Sequence, residues 1–345
     1  MTRLRNAIWL SAVLLLSGIF SCTKQEEIPS AAGGEVAITF STAPQTKATT
    51  PGDGVAADGG GIYVDGSDNP DLHVFLFNTS DGSLAARYPD PLSGVPASCA
   101  THTATTATLL FKDVPEGSYT VYAVANTEGS GAWGMSGFSA WTAISNASDL
   151  EALTFTPLSA GAHPVVTDRL PLSAKGNLSV SSRHTGEVSL ELLRCVGKVT
   201  LELLDQTDNG LSLTNLSVTL HNMSATTGYL IPHDPDQPAG AGYGNITIGD
   251  PSVTFTDKKA SYPTLVFPQA EDEHRCYSCD ISFESGGVSK SFTGLPIQNY
   301  RAENVASLLR NQNLVIQIRI SEKPTVSFNF QFGDWTHLDE SVTFD

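Results

Sequence analysis

The sequence predicts a mainly all-β protein built as two tandem β-sandwich domains, with short helices confined to loops. Three observations carry this expectation. Thr, Ser, Gly, Val and Leu dominate the chain, a composition rich in residues that suit a pleated, half-buried surface. Short apolar segments with period-2 alternation recur at turn-separated intervals. No long heptad pattern competes with them. A length of 345 residues suits two domains of ordinary size. The 40% hydrophobic content is enough for packed cores, and 16% charged residues excludes a disordered chain.

The chain opens on an export signal. Arg3 and Arg5 form a basic n-region, Ala7 to Leu16 form a short apolar h-region, and Ser17 to Ser21 lead into Cys22. That apolar run falls short of the ~20 residues a bilayer-spanning helix needs. Ile19 and Ser21, at −3 and −1 from the cysteine, fit cleavage by a lipoprotein signal peptidase, with Cys22 as the lipidation site. Residues 1–21 are therefore read as a signal peptide. The mature protein is expected to be an acylated (palmitate-bearing) lipoprotein at the cell outer membrane of a Gram-negative cell. An ordinary secretory signal with a chance cysteine is the rival. Residues 22–34 are polar and Gly-rich and read as a flexible tether.

Charge narrows the partners. Removing residues 1–21, which hold two arginines and no acid, takes the formal charge from −17 to −19. Such a surface excludes nucleic acid as a partner and excludes charge-driven binding to anionic lipid. Anchoring then rests on the acyl chains.

Val36-Ala-Ile-Thr-Phe40 alternates cleanly and makes the first strand. Ser41 to Gly61 is rich in Thr, Pro, Gly and Ala and reads as an exposed linker. Leu72 to Phe77, Ala107 to Phe111 and Tyr119 to Ala125 are strands, the last two joined by the turn Pro115-Glu-Gly117. Ser136 to Leu153 reads as a site for a short helix, with Ser148 and Glu151 as its capping box. Leu170 to Leu172, Glu187 to Leu193 and Val196 to Leu204 extend the β pattern. A second series runs through Leu216–Asn222, Asn245–Ile248, Tyr262–Phe267, Tyr277–Phe283, Lys290–Phe292, Leu314–Ile320 and Val326–Phe332. The expected domains are 35–185 and 186–345.

No arrangement for catalysis emerges, and the chain is read as no enzyme, with no cofactor and no metal. The eight histidines include no H-x-x-x-H or H-x-H pair. His233-Asp-Pro-Asp236 reads as a turn. Cys276-Tyr-Ser-Cys279 has C-x-x-C spacing but leads into a period-2 segment. Residues three apart on a strand point to opposite faces, so the pair reads as one cysteine in and one out. G-x-S-x-G and H-E-x-x-H are missing. Trp133, Trp141 and Tyr243 are the aromatics from which a sugar platform would be built, and core or loop positions are the plainer reading.

Several segments in order resemble the fimbrillins, the type V pilus subunits of anaerobic Gram-negative bacteria. They are Val36–Phe40 with Thr46-Lys47-Ala48; Asp71-Leu-His-Val-Phe-Leu-Phe-Asn78 with Asp81-Gly82; Gly117–Asn126; Leu193-Arg-Cys-Val-Gly-Lys-Val-Thr200, with Gly197 where the family usually has Ala; and Leu309-Arg-Asn311, Gly333-Asp-Trp335 and Ser341–Phe344. The resemblance implies transthyretin-like sandwiches and a lipid-anchored precursor at the surface. It implies a trypsin-like surface protease cutting between Lys47 and Ala48, which makes 35–47 a removable first strand and linker, with Val36, Ile38 and Phe40 facing the core. The donor strand that refills the groove comes from a neighbouring subunit, where Val342 and Phe344 have the needed spacing. The expected role is a pilin in a fimbrium that mediates cell adhesion by donor-strand exchange, a stalk being preferred to a tip or anchor. Partners are then other fimbrial subunits, outer-membrane lipid before processing, and the protease. The rival is a non-polymerising surface lipoprotein that binds a glycan or a host protein ligand.

Overall fold

The computed structural model of the chain describes residues 33–42, 61–62, 70–127, 133–136, 139–157, 170–182, 185–224, 227–269, 275–298, 303–321 and 326–334. Strands dominate, as the alternation predicts. The first half supplies β1 (Gly34–Thr42), β2 (Leu72–Asn78), β3 (Leu84–Tyr88), β4 (Ala97–His102), β5 (Thr106–Val114), β6 (Gly117–Ala125), β7 (Trp133–Ser136), the helix α1 (Ala147–Glu151), β8 (Thr154–Pro157), β9 (Leu172–Val180) and β10 (Gly186–Arg194). The second supplies β11 (Gly197–Asp205), β12 (Thr214–Ser224), β13 (Gly228–Tyr229), β14 (Tyr243–Ser252), β15 (Lys259–Val266), β16 (Ser278–Ser285), β17 (Val288–Pro296), β18 (Gln312–Ile320) and β19 (Val326–Asp334).

Eight strands of the first half form one sheet in the order β3-β2-β6-β9-β10-β1-β5-β4. The strand β10 changes neighbours along its length. Its residues Gly186–Leu192 pair with β1, while only Leu193 and Arg194 pair with β9. The sheet therefore curls at β10, and Val74 and Val121 from one arm share a buried cluster with Ile38 and Leu109 from the other. Gly186–Arg194, assigned above to the second domain, thus belongs with β1 and β9. The apolar run up to Leu193 does not show where its partners lie.

The second half forms two four-stranded sheets, β15-β11-β18-β19 and β14-β12-β16-β17. Inward residues of both, among them Val199, Leu201, Val218, Ile281, Leu314 and Ile316, make a second buried cluster. Two sheets sharing one apolar layer is the sandwich arrangement. A third cluster joins the halves, packing Phe75, Phe77, Trp141 and Phe155 against Leu230 and Phe267. The small sheet β13-β8-β7 crosses the same seam, with Gly228 opposite Phe155. At Gly228 a Cβ would lie 2.5 Å from Phe267 Cδ1, so only glycine lets the strand approach so closely.

The helix differs from its sequence reading in its cap. Asn146 is the N-cap: its side chain accepts from Ser148 N, and the Asp149 carboxylate accepts from the Asn146 and Ser145 backbone N–H groups. Ser148 and Glu151 lie inside the helix. Asn and Asp meet the same capping requirement as Ser and Glu, two positions earlier.

Candidate functional site

The feature that separates this fold from a plain sandwich is the placement of β1. It lies in the sheet interior, antiparallel to β5 on one side and parallel to β10 on the other. Val36–Phe40 is therefore not an edge strand. Ile38 sits opposite Leu109 and Val188, and Phe40 opposite Ala107 and Leu190. The strand alternates as its sequence does, with Val36, Ile38 and Phe40 all 0% exposed and Glu35 and Ser41 exposed. Fully burying three side chains of this size contributes about 5–9 kcal/mol. Both edges of β1 are also satisfied along the sheet, and its end is fastened by Thr42 N donating to Thr105 O at 2.9 Å.

Two glycines control the entry of the strand. A Cβ on Gly33 would fall 2.2 Å from the Asp113 carbonyl carbon, and one on Gly34 would fall 2.6 Å from a Val180 methyl and 2.9 Å from Ser181 O. The slot is therefore tight at its Gly33–Gly34 end. A register shift between Gly34 and Val36 opposite β5 marks the same place. The Gly33-Gly34 doublet was in the sequence and was read as tether. Its position just before an alternating run was the available signal for a close backbone approach.

Around this slot the remaining candidates fall into place or fall away. Cys22, Lys47, Ala48, Val342 and Phe344 lie outside the described residues. Trp141 is no platform: it is buried and stacks on His73 at 4.5 Å. Burial of the His73 ring pushes its pKa down to about 4. Trp133 stands in β7, and Tyr243 opens β14 with the Arg275 guanidinium 4.1 Å from its ring centre. Cys279 is fully buried on β16 and Cys276 is half-buried just before that strand; both are free thiols. Burial pushes the Cys279 thiol up to about 12. Among the described residues no three His, Cys, Asp or Glu side chains gather as a metal-holding group.

The quoted motifs at Arg194 and Leu309–Asn311 meet at the seam between the halves. Arg194 Nη1 donates to Asn311 Oδ1 at 2.9 Å, and Asn311 N donates to Val196 O at 2.9 Å. Arg310 pairs with Asp236, whose Oδ1 also accepts from His233 N at 3.2 Å. The His233–Asp236 segment is thus a turn whose carboxylate is engaged internally. On the first-half side of the seam, Tyr122 Oη donates to Glu151 at 2.5 Å and Lys175 pairs with the same carboxylate at 2.9 Å. Burial opposes ionisation of Glu151, but these two donors outweigh it and hold its carboxyl below the ordinary range.

The family model described as fimbrillin-A associated anchor proteins Mfa1 and Mfa2 matches residues 35–341. Among solved structures, the chain is similar to the C-terminally truncated tip fimbrial protein Mfa3 of Porphyromonas gingivalis. There the TM-score is 0.54 at 13% identity, covering 87% of this chain and 100% of the other. It is also similar to a fimbrilin (fimA) from Porphyromonas gingivalis W83, with TM-score 0.54 at 9% identity, covering 90% and 99%. At such identities the structural likeness concerns the fold. No curated protein matches the chain.

Proposed function

Because the chain belongs to the family of fimbrillin-A associated anchor proteins Mfa1 and Mfa2, we propose that it is a non-enzymatic subunit of a cell-surface fimbrium whose first strand is replaceable. The observation that carries this reading is the interior place of β1, with Val36, Ile38 and Phe40 fully buried between β5 and β10. Loss of such a strand bares hydrogen-bonding groups on two neighbours at once and opens an apolar groove between them. A strand from another subunit then restores both ladders and refills the pockets through alternate side chains.

In this reading Cys22 carries the lipid that holds the precursor at the outer membrane, and a trypsin-like protease cuts after Lys47. The cut alone does not empty the slot. With about 5–9 kcal/mol of side-chain burial still holding it, the severed strand leaves only as an incoming one displaces it. Val342 and Phe344 of a neighbouring subunit supply the i, i+2 pair for that exchange. A lipid-retaining anchor is the second reading, favoured by the family's own description. An anchor keeps β1 in place and offers a donor strand without accepting one.

N-terminal sequencing of the protein from its native outer surface, with its assembly state, tests both. A start at Ala48 in SDS-resistant polymers is the expected result. A lipidated Cys22 start within a fimbria selects the anchor. A lipidated Cys22 start in a monomer rejects both.

A further inference from the structure

Side-chain size is graded along the β1 slot. On β1 the inward residues grow from Val36 through Ile38 to Phe40, all fully buried. Opposite them on β5 the partners shrink in step, from Phe111 through Leu109 to Ala107. The β10 partners grow with β1, from Gly186 through Val188 to Leu190. Ala107 leaves room for the Phe40 ring, whereas the Phe111 ring takes up that room beside Val36. In a close-packed interior such grading reads the size and order of the side chains laid against it. The end of the chain repeats part of the β1 pattern. Val342-Thr343-Phe344 matches Ile38-Thr39-Phe40 with one change, Val for Ile, and Ser341 stands for Ala37. One residue further back, Glu340 falls where Val36 stands. Sliding the tail two residues toward Gly34 leaves the Phe40 place empty. It also brings Glu340 to Gly34, where a Cβ would lie 2.6 Å from a Val180 methyl. Reversing the tail sets Phe344 against Phe111.

Building on the reading of β1 as replaceable, we infer that the slot selects against this chain's own tail through Glu340. Its preferred occupant is a strand of a different subunit, laid in the direction of β1, with an apolar residue at the Val36 place. Val342 and Phe344 of a second copy fill two of the three pockets. The third would take a carboxylate between Phe111 and Gly186, neither of which can pair with it. Burying an unpaired charge is strongly unfavourable, and a misfit of this kind separates one partner from another as effectively as a good contact does. The graded partners on β5 add the direction, because a reversed strand meets a large ring where the slot is already full. A subunit that disfavours its own tail does not stack readily on itself, so self-assembly gives way to an ordered succession of unlike subunits.

The mature chain, with residues 44–50 replaced by the recognition site of a sequence-specific protease, allows a direct test. After the cut, release of the β1 fragment is followed by mass spectrometry while synthetic peptides compete for its place. The competitors are a copy of Gly34–Thr42, the same sequence reversed, residues 337–345, and residues 337–345 carrying Glu340→Val. The forward copy should displace the fragment and the reversed one should not. Glu340→Val should raise the apparent affinity of the tail peptide at least about tenfold. Equal displacement by the forward and reversed copies, or equal affinity of the two tail peptides, overturns the inference while leaving β1 replaceable. No displacement by the forward copy overturns the replaceable strand itself, and the inference with it.

Discussion

Arg310 grips Asp236 with two prongs, Nε to Oδ2 at 2.5 Å and Nη2 to Oδ1 at 2.6 Å, and extends Nη1 to Ser173 Oγ at 3.0 Å. An arginine just before β18 thereby fastens both the turn after β13 and strand β9 of the first half. The pair is almost shut off from water, with side chains 8% and 12% exposed. Removing one member leaves an uncompensated buried charge. Arg310→Ala or Asp236→Ala should each lower stability by about 3–5 kcal/mol, read from urea midpoints. The double variant Arg310→Met/Asp236→Leu should lose less than either single. A double variant as unstable as the two singles summed would show that the partners do not act on each other.

His73 makes the protein acid-sensitive in a defined window. Burial disfavours its charged form, holding the pKa near about 4 in the folded chain against 6.5 for the free side chain. Between those values the unfolded state binds more protons than the folded one. Stability therefore falls as pH drops from 6.5 to 4, by up to about 3 kcal/mol, and is unaffected by this group above that range. Urea melts at pH 7.5 and pH 4.5 measure the difference, and His73→Gln should reduce it. An unchanged slope in that variant would assign acid sensitivity elsewhere.

Truncating the strand that fills the slot should be costly only on its inner face. Phe40→Ala is expected to lose about 3–5 kcal/mol, whereas Glu35→Ala, on the exposed face, should stay within about 0.5 kcal/mol. Comparable losses at both positions would remove the case for a one-sided groove.

Adding a single methyl group at the tight end is a sharper probe. The obstacle at Gly33 is backbone, Asp113, which cannot swing aside. At Gly176 the atom met is a Leu190 methyl, the end of a flexible side chain. Gly33→Ala should loosen β1, seen as faster hydrogen exchange at Val36 and Ile38, and Gly176→Ala should leave that exchange nearly unchanged. Equal exchange in the two variants would contradict the geometry.

The cysteines should sort by burial. Cys195 and Cys279 are shut in the core, and burial raises both thiol pKa values. An alkylating reagent under native conditions should modify Cys99 and Cys276 first and reach the other two only on unfolding. Early labelling of Cys195, which donates to Leu230 O at 3.2 Å, would mean the seam opens in solution.

Many strands were legible where one face is buried, because alternation such as Val36, Ile38, Phe40 is a local signature; β9 (Leu172–Val180) was met only at its first residue. The short strands β3, β4, β7 and β8 were not singled out; Ala97–His102 on β4 has no fully buried residue and hence no strongly apolar face to betray it. Partnership was hidden for a different reason. That β1 runs parallel to β10, about 150 positions away, is decided by how whole sheets pack. The seam was half visible: Arg194 and Leu309–Asn311 could be quoted as motifs, but that Arg194 reaches Asn311 and Arg310 reaches Asp236 is decided by how distant segments pack. Trp141 is buried, as its plainer reading had it, but the histidine it covers left no local mark in the sequence.

Gly33 and Gly34 give the β1 slot a narrow end. Whatever segment occupies it meets backbone at one extreme and generous apolar pockets along the rest. A guest laid in the direction of β1 needs side-chain-free residues first, while a guest laid the opposite way can bring bulk early but must finish small. The slot is thus a gauge with an orientation, and any filament built by filling it would inherit a head and a tail from two missing side chains.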